Sequence, residues 1–279
     1  MPEWGLIFYK DDIVAASLVT GVFLLFTRLE GHPWLQAATL AGLQALLIEI
    51  QSSRAAIVGL AAGSVWWCLA RRWAYLRTQA IVAAGAVTAL AAGSALHGVG
   101  GGENRLGEIS LRILSIADLP GRIVYEREEQ GYLSDNNRFR IVWWMEVAKE
   151  VADKAPLTGL GFGHDLSRNF LRAYDQDLGE SFSARSPHSI VFTALGRMGV
   201  IGLVSFIAIA GSMVLATMRA IRKPGGEGTE ALGWWSATWA LMVSSCFGVV
   251  LEGPMGAVLF WTLLGIAVHE SRAKETAAA

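Results

Sequence analysis

Long apolar runs alternate with short polar connections along most of the chain. A helix needs about 20 predominantly apolar residues to cross a bilayer, and seven runs approach that length. They cover residues 12–27, 34–50, 55–70, 79–97, 199–218, 232–251 and 254–270. Gly253 and Pro254 separate the last two runs, as expected of a tight hairpin. The pattern predicts an all-α fold, a polytopic helical membrane protein with about seven transmembrane helices.

A polar block at 98–187 interrupts the apolar runs. It holds 14 of the 24 acidic residues and 11 of the 23 basic residues of the chain. Within it, apolar side chains recur at helical spacing from about 137 to 153. A helix-start signal at 134–136 precedes them, and Pro156 follows. We therefore predict one large loop that contains an amphipathic helix.

Basic residues in the short connections predict the orientation. They lie between the third and fourth runs, between the fifth and sixth, and after the last, as Arg71, Arg72, Arg77, Arg219, Arg222, Lys223, Arg272 and Lys274. By the positive-inside rule these connections are cytoplasmic, so the polar block is extracytoplasmic. The predicted organisation is transmembrane helices 1–4 in 1–97, the loop in 98–187, and helices 5–7 with a short cytoplasmic tail in 188–279.

The composition changes this picture little. The chain is 53% hydrophobic and 17% charged, whereas a soluble domain has about a quarter charged residues. The net charge of −1 says nothing about nucleic acid, but the sequence lacks the basic stripe that a nucleic-acid partner would require. Cys68 and Cys246 lie inside apolar runs, where packing is expected rather than a disulfide. The spacing of His and Cys fits no zinc pattern, so we expect neither a metal nor another cofactor.

Three arginines are candidates for binding an anionic group. Arg54 directly precedes the third run, and Arg138 and Arg140 open the amphipathic helix. A guanidinium stays charged and can bind phosphate oxygens bidentately. The alternatives are that Arg54 reaches lipid headgroups and that the other two, which face different sides of the helix, form a solvated helix end. Trp143 and Trp144 fit either an interfacial helix lying on the bilayer or faces for stacking on sugars.

His188 is the candidate general base. It follows Pro187 at a predicted helix start close to the membrane plane. The positive end of a helix favours a neutral imidazole, which can accept a proton from a hydroxyl nucleophile. The alternative is a histidine that caps or packs at a loop–helix joint. His164, which follows the glycine-rich turn GLGFG at 159–163, is a weaker candidate for the same role.

Further polar residues are candidates to complete an outward-facing cluster. Arg185, Arg197 and Glu252 could support the site, or Glu252 could form a salt bridge with one of the arginines. The helix that follows His188 is expected to bend near 196–199 before the true span begins, which would leave Arg197 outside the hydrocarbon.

Four segments, in this order, resemble the O-antigen ligase and O-antigen polymerase superfamily of bacterial membrane glycosyltransferases. QSSRAAIVGL is similar to its span-edge SRG segment, with Ala55 where Gly is common. NNRFRIVWWMEVAKEVADKAPLTGLGFG is similar to its loop helix and the following Pro-to-GxG turn. SPHSIVFTALGRMGVIGL resembles its HN segment, with Ser189 where Asn is frequent, and LEGPMGAVLFWTLLGIA resembles its closing spans.

The resemblance implies an activity. A metal-independent, inverting enzyme of the bacterial inner membrane would transfer a glycan from a polyprenyl diphosphate donor to a lipid-linked or glycan acceptor hydroxyl on the periplasmic face. His188 would be the base or would orient the acceptor, and Arg54 with either Arg138 or Arg140 would bind the diphosphate.

The resemblance also leaves alternatives open. Members of the superfamily have more spans than the seven found here, so N-terminal spans are expected to be missing. Ligase, polymerase and protein O-glycosyltransferase activities are not distinguished. A non-enzymatic subunit for polysaccharide transport or assembly, or an inactive truncated fragment, would have the same apolar pattern.

Overall fold

The computed structural model describes residues 11–29, 31–49, 54–96, 131–170, 186–222 and 225–272. Within these ranges the chain is all-helical, and the helices are α1 (Asp11–Arg28), α2 (Pro33–Glu49), α3 (Arg54–Leu69), α4 (Trp73–Leu96), α5 (Gly131–Lys154), α6 (Ile190–Arg222), α7 (Gly225–Cys246) and α8 (Pro254–Arg272). The prediction of helices from the apolar runs is confirmed. Most of the predicted loop, 97–130 and 171–185, lies outside the described residues.

Of the described helices, α6 is the one that is long and apolar enough to cross a membrane, with 33 residues, and α3 is a shorter apolar helix. The apolar part of α6 also leaves most of its side chains exposed, including Ile201, Val204 and Leu215. Exposed apolar side chains on a helix of this length are expected to face lipid. The number of seven spans and the side on which the loop lies remain predictions.

Several helix boundaries differ from those expected, including the starts of α4 at Trp73 and of α7 at Gly225. The helix of the polar block begins at Gly131, not near 137, so the polar residues at 134–136 lie inside its first turns. Helix α7 ends at Cys246 rather than at 251, and residues 247–253 form turns instead of a tight hairpin. The Gly253 carbonyl accepts the Ala257 N–H (3.1 Å), which leaves Pro254 as the first helical residue, a position that needs no N–H donor.

The chain divides into two compact units. The first consists of Met1–Glu103 and Met213–Ala279, and the second of Asn104–Ser212. The second unit therefore extends past residue 187, where the sequence places the end of the loop, and includes the first two-thirds of α6.

In the first unit, α3 packs directly on the backbone of α7. A Cβ atom at Gly59 would collide with the Ser244 hydroxyl, and one at Gly63 would lie 2.8 Å from the Ser236 carbonyl oxygen. The Ser244 hydroxyl donates to the Ala55 carbonyl (3.1 Å). Small residues that allow close helix approach are typical of membrane helix packing. These contacts hold the first turn of α3, which begins at Arg54, against α7.

In the second unit, one face of α5 packs against a later segment and forms an apolar core with it. Its buried members are Trp143, Val147, Val151, Leu166 and Phe170. The Trp143 ring stacks on Phe170 with centroids 4.8 Å apart, and its indole N–H donates to the Leu166 carbonyl (2.8 Å). Because Trp143 is fully buried, its interpretation as an interfacial or sugar-stacking residue is wrong.

Helix α6 is broken at Gly199, which has φ 63° and ψ −152°, so the predicted bend near 196–199 is confirmed. The turn at 156–161 bonds to both sides of the break. The Pro156 and Leu157 carbonyls accept the N–H groups of Val200 (2.9 Å) and Ile201 (3.2 Å).

The same turn also serves the helix end that precedes the break. The N–H groups of Leu160 and Gly161 donate to the carbonyls of Gly196 (2.8 Å) and Arg197 (3.1 Å). Backbone groups at a helix end have no intrahelical partner, and here the segment 156–161 provides partners for both halves of α6.

Candidate functional site

His188 lies in a strained backbone conformation just before α6. Its φ is 53°, in the left-handed region that non-glycine residues seldom adopt. Its N–H donates to the Ser186 hydroxyl (3.3 Å), and the carbonyl of the next residue, Ser189, accepts the Thr193 N–H (2.8 Å) as the first bond of the helix. Such a conformation costs on the order of 1 kcal/mol, so neighbouring contacts must stabilise it.

Those contacts come from two adjacent tryptophans of α5. The half-buried His188 ring meets the Trp143 ring edge to face, with centroids 5.8 Å apart. The Trp144 indole N–H donates to the Pro187 carbonyl (2.7 Å), and its ring stacks on Phe192 with centroids 4.9 Å apart. Contacts at Pro187 and Phe192, on either side of His188, thus bind the segment 186–192, the His188 joint, to α5.

The two arginines at the start of α5 differ in their surroundings. Arg138 is exposed, whereas Arg140 is half-buried, with its Nε atom buried. Arg140 precedes Trp143 and Trp144 by three and four residues, so helix geometry places it on the same face as the tryptophans that contact the His188 joint. The second unit therefore brings one predicted arginine to the side of α5 on which the predicted base lies.

His164 belongs to a different cluster. Its Nε2 atom lies 3.0 Å from the Glu150 Oε1 atom, which also accepts from the Lys154 ammonium (2.7 Å). The Glu150 side chain is only 4% exposed. A buried carboxylate needs such partners to offset its desolvation, so these contacts give His164 a structural reason to be present.

Asp165 closes the turn that follows His164. Its Oδ1 atom accepts the Ser167 hydroxyl (2.7 Å) and the Ser167 N–H (2.9 Å). The hydroxyl bond is the largest cause of a lowered pKa for Asp165. The Ser167 N–H and the charges of His164 and Arg197 lower this pKa further, against the opposing effect of burial.

Arg197 also has a structural role that the sequence did not indicate. Its Nη1 atom donates to the carbonyls of Gly161 (3.1 Å) and Phe162 (2.9 Å) and to that of His164. Two carbonyls of the glycine-rich turn and that of the next residue, His164, thus share one guanidinium. The place of Arg197 in an outward-facing polar cluster stays a prediction.

The remaining predicted residues belong to the first unit or lie outside the described residues. Arg54 begins α3 in the first unit and is half-buried, and it is followed by the buried Ala55 and Ala56. Glu252, also half-buried and in the first unit, donates its N–H to the Val249 carbonyl (3.0 Å) in the turn before α8. Arg185 lies outside the described residues.

A family model described as O-antigen ligase matches residues 15–207, which include Arg54, Arg140 and His188 and most of the described helices up to the apolar part of α6. No curated protein matches the chain.

Proposed function

The chain belongs to the O-antigen ligase family, and from that premise we propose that it is a glycosyltransferase of the bacterial inner membrane. Its donor is a glycan on a polyprenyl diphosphate, and its acceptor is a hydroxyl of a lipid-linked or glycan molecule at the periplasmic face. The observation that carries the proposal is the strained, tryptophan-held His188, since costly backbone conformations are concentrated at functional sites.

In the proposed reaction His188 is the general base. The acceptor hydroxyl gives its proton to a ring nitrogen while its oxygen forms a bond to the anomeric carbon. The bond from that carbon to the diphosphate oxygen breaks, and the electron pair leaves with the polyprenyl diphosphate. A single displacement of this kind inverts the anomeric centre. A positioned base contributes about 10²–10⁴-fold to such a step.

Arginines stabilise the leaving diphosphate in this proposal. Arg140 is favoured over Arg138 because it is half-buried on the face of α5 that carries Trp143 and Trp144. Arg54 provides a second guanidinium at the N-terminus of α3, where the helix dipole also favours an anion. Fixed positive charge that meets charge developing in the transition state can replace a metal ion.

The test is glycan transfer by purified full-length protein in nanodiscs, with a fluorescent polyprenyl diphosphate glycan as donor. His188→Ala is expected to lower the transfer rate at least about 100-fold, and Arg140→Ala and Arg54→Ala by a similar factor. Each variant has a matched control: the exposed His269→Ala for the histidine and the exposed Lys149→Ala for the arginines. Normal turnover by His188→Ala, with unchanged yield and size-exclusion profile, would show that the proposed base is wrong.

The acceptor is identified in cells. In a strain that depends on this chain, a lipopolysaccharide gel without O-chains after its loss indicates a ligase, and one with a single repeat indicates a polymerase. A transport function is tested separately: labelled donor that accumulates in proteoliposomes without cleavage of its glycosyl bond would replace the enzymatic proposal.

A further inference from the structure

The turn that caps the break in α6 exposes two large apolar side chains. Leu157 is 65% exposed and Phe162 is 77% exposed. Both lie in the second unit, at either end of the stretch whose backbone bonds to 196–201. Large exposed apolar residues on one short turn are typical of a surface that contacts another apolar phase.

Leu157 lies beside the start of an apolar stripe on the candidate span. The Leu157 carbonyl accepts the Ile201 N–H, which places Leu157 beside the first turn after the break. Ile201 is 59% exposed, and Val204 and Ile207 are 57% and 58% exposed. Residues three or four apart share a helix face, so Ile201 and Val204 lie on the same side of α6. Leu157 lies beside the end of this face at which Ile201 is found.

Backbone chemistry ties the turn to the level at which α6 enters the membrane. Because the helix is broken at Gly199, the Val200 and Ile201 N–H groups have no acceptor in the preceding helical turn. They donate instead to the Pro156 and Leu157 carbonyls. An unsatisfied N–H in hydrocarbon costs several kcal/mol. The turn therefore cannot lift away from the start of the span without exposing these groups to lipid.

From these relations we propose that Leu157 and Phe162 insert into the bilayer interface and anchor the second unit to the membrane. The occupant of this surface is the acyl region of the surrounding phospholipid. Arg197 lies four residues before Ile201, on the other side of the Gly199 break, and bonds the Gly161 and Phe162 carbonyls. The anchor therefore ends in a charged layer at headgroup depth. The anchor sets the height of the His188 joint above the hydrocarbon.

The proposal is tested by the depth of spin labels in the full chain. Cys68 and Cys246 are replaced by Ala, and single cysteines at 157 and 162 carry a nitroxide. Position 204 is the lipid-facing reference, and the exposed Asp153 on α5 is the aqueous reference. The protein is placed in nanodiscs of phosphatidylethanolamine and phosphatidylglycerol, and collisions with oxygen and with a neutral nickel chelate are compared.

Labels at 157 and 162 are expected to collide preferentially with oxygen, as at 204, whereas the label at 153 collides with the nickel chelate. Nickel-chelate accessibility at 157 and 162 equal to that at 153 would overturn the proposal. Shielding that appears only after polyprenyl phosphate is added would also overturn it, because the donor lipid and not the bilayer would then occupy the surface. Catalysis is not measured, so the result is independent of the proposed function.

Both labelled side chains are exposed, and size-exclusion profiles check that each labelled protein is folded. As a second measurement, an unlabelled Leu157→Asp, Phe162→Asp variant is examined by hydrogen exchange in the same nanodiscs. If the turn is anchored, the variant releases it, and the Val200 and Ile201 amides are expected to exchange faster than in the wild type. Unchanged exchange would contradict the anchor even if the labels were shielded.

Discussion

Gly159 and Gly199 approach each other so closely that neither position can accommodate a side chain. A Cβ atom at Gly199 would lie 2.6 Å from the Gly159 nitrogen, and one at Gly159 would collide with the Gly199 nitrogen. Both residues also have positive φ, 71° and 63°, which glycine adopts without steric cost. This mutual contact joins the glycine-rich turn to the break in α6, and the His188 joint lies at the other end of the same short helical segment.

Gly199→Ala is therefore expected to be strongly destabilising. At φ 63° and ψ −152° an alanine would occupy a backbone region that is essentially confined to glycine, which costs about 1–3 kcal/mol. The steric collision with the Leu157 carbonyl and the Gly159 nitrogen adds to this cost. The loss of stability is measured as a lower unfolding temperature in detergent. Unfolding is detected by the fraction of protein that stays monodisperse after heating.

Gly211→Ala is the matched control because Gly211 lies in the same helix with open space around its Cβ position. Alanine there is expected to leave the unfolding temperature unchanged or to raise it slightly, because alanine is more favourable than glycine in a helix by about 1 kcal/mol. Equal unfolding temperatures for the two variants would contradict the close approach of the turn and the break.

Arg197→Ala is expected to loosen the glycine-rich turn. The variant removes the guanidinium that bonds the Gly161, Phe162 and His164 carbonyls. Hydrogen bonds to a charged group contribute about 1.5–3 kcal/mol, so the Leu160 and Gly161 amides, which bond to α6, should exchange about tenfold faster or more.

Hydrogen exchange read by mass spectrometry makes this measurement. Arg168→Ala removes an exposed arginine close to the same turn and should leave the exchange rates of these amides unchanged. If Arg197→Ala leaves them unchanged as well, the guanidinium does not hold the turn.

The pKa of Asp165 predicts a pH dependence of stability. The Ser167 hydroxyl lowers this pKa below its ordinary value of 3.8. A carboxyl whose pKa is lower in the folded state stabilises the fold at pH values above its unfolded pKa. This contribution is lost as the pH falls from 3.8 toward the folded value.

Asp165→Asn should flatten the acid side of the stability profile, and Ser167→Ala should do so in part because it removes the largest cause of the lowered pKa. Unfolding temperatures measured across this pH range provide the comparison. An unaltered acid profile in both variants would show that this contact does not couple protonation to folding.

Local patterns in the sequence were sufficient to predict the helices and the break. Each apolar run is long enough to identify a helix by itself. Two glycines close together, at 196 and 199, indicate the break that is found at Gly199. The start of α5 was predicted too late because Ser, Asp and Asn at 134–136 are typical of a helix start, and here they lie within the helix.

Contacts between distant residues were not predictable in the same way. Periodicity shows that α5 has an apolar face but does not show what covers it, and Trp143 is covered by Leu166 and Phe170 from a later segment. The carbonyl partners of Arg197 lie more than 30 residues earlier in the chain. The distinction between Arg138 and Arg140 likewise depends on what packs beside α5, whereas their spacing indicates only that they face different directions.

Trp144→Phe is expected to weaken catalysis more than stability. The variant keeps an aromatic ring to stack on Phe192 but loses the indole N–H that donates to the Pro187 carbonyl. The lost hydrogen bond costs about 1 kcal/mol of stability. The released joint would let the His188 imidazole drift from its position, and a misplacement of about 1 Å can lower a rate by about 100-fold.

The kinetic signature separates positioning from general damage. In Trp144→Phe, kcat for glycan transfer is expected to fall at least about tenfold while KM for the donor and the pH profile stay as in the wild type. Trp239→Phe is the matched control, because it loses an indole bond of the same kind, to the Thr217 hydroxyl (2.9 Å), in the first unit. The two variants should unfold at similar temperatures, but only Trp144→Phe should transfer slowly. Equal kcat values in both would show that the tryptophan of α5 stabilises the fold without positioning the base.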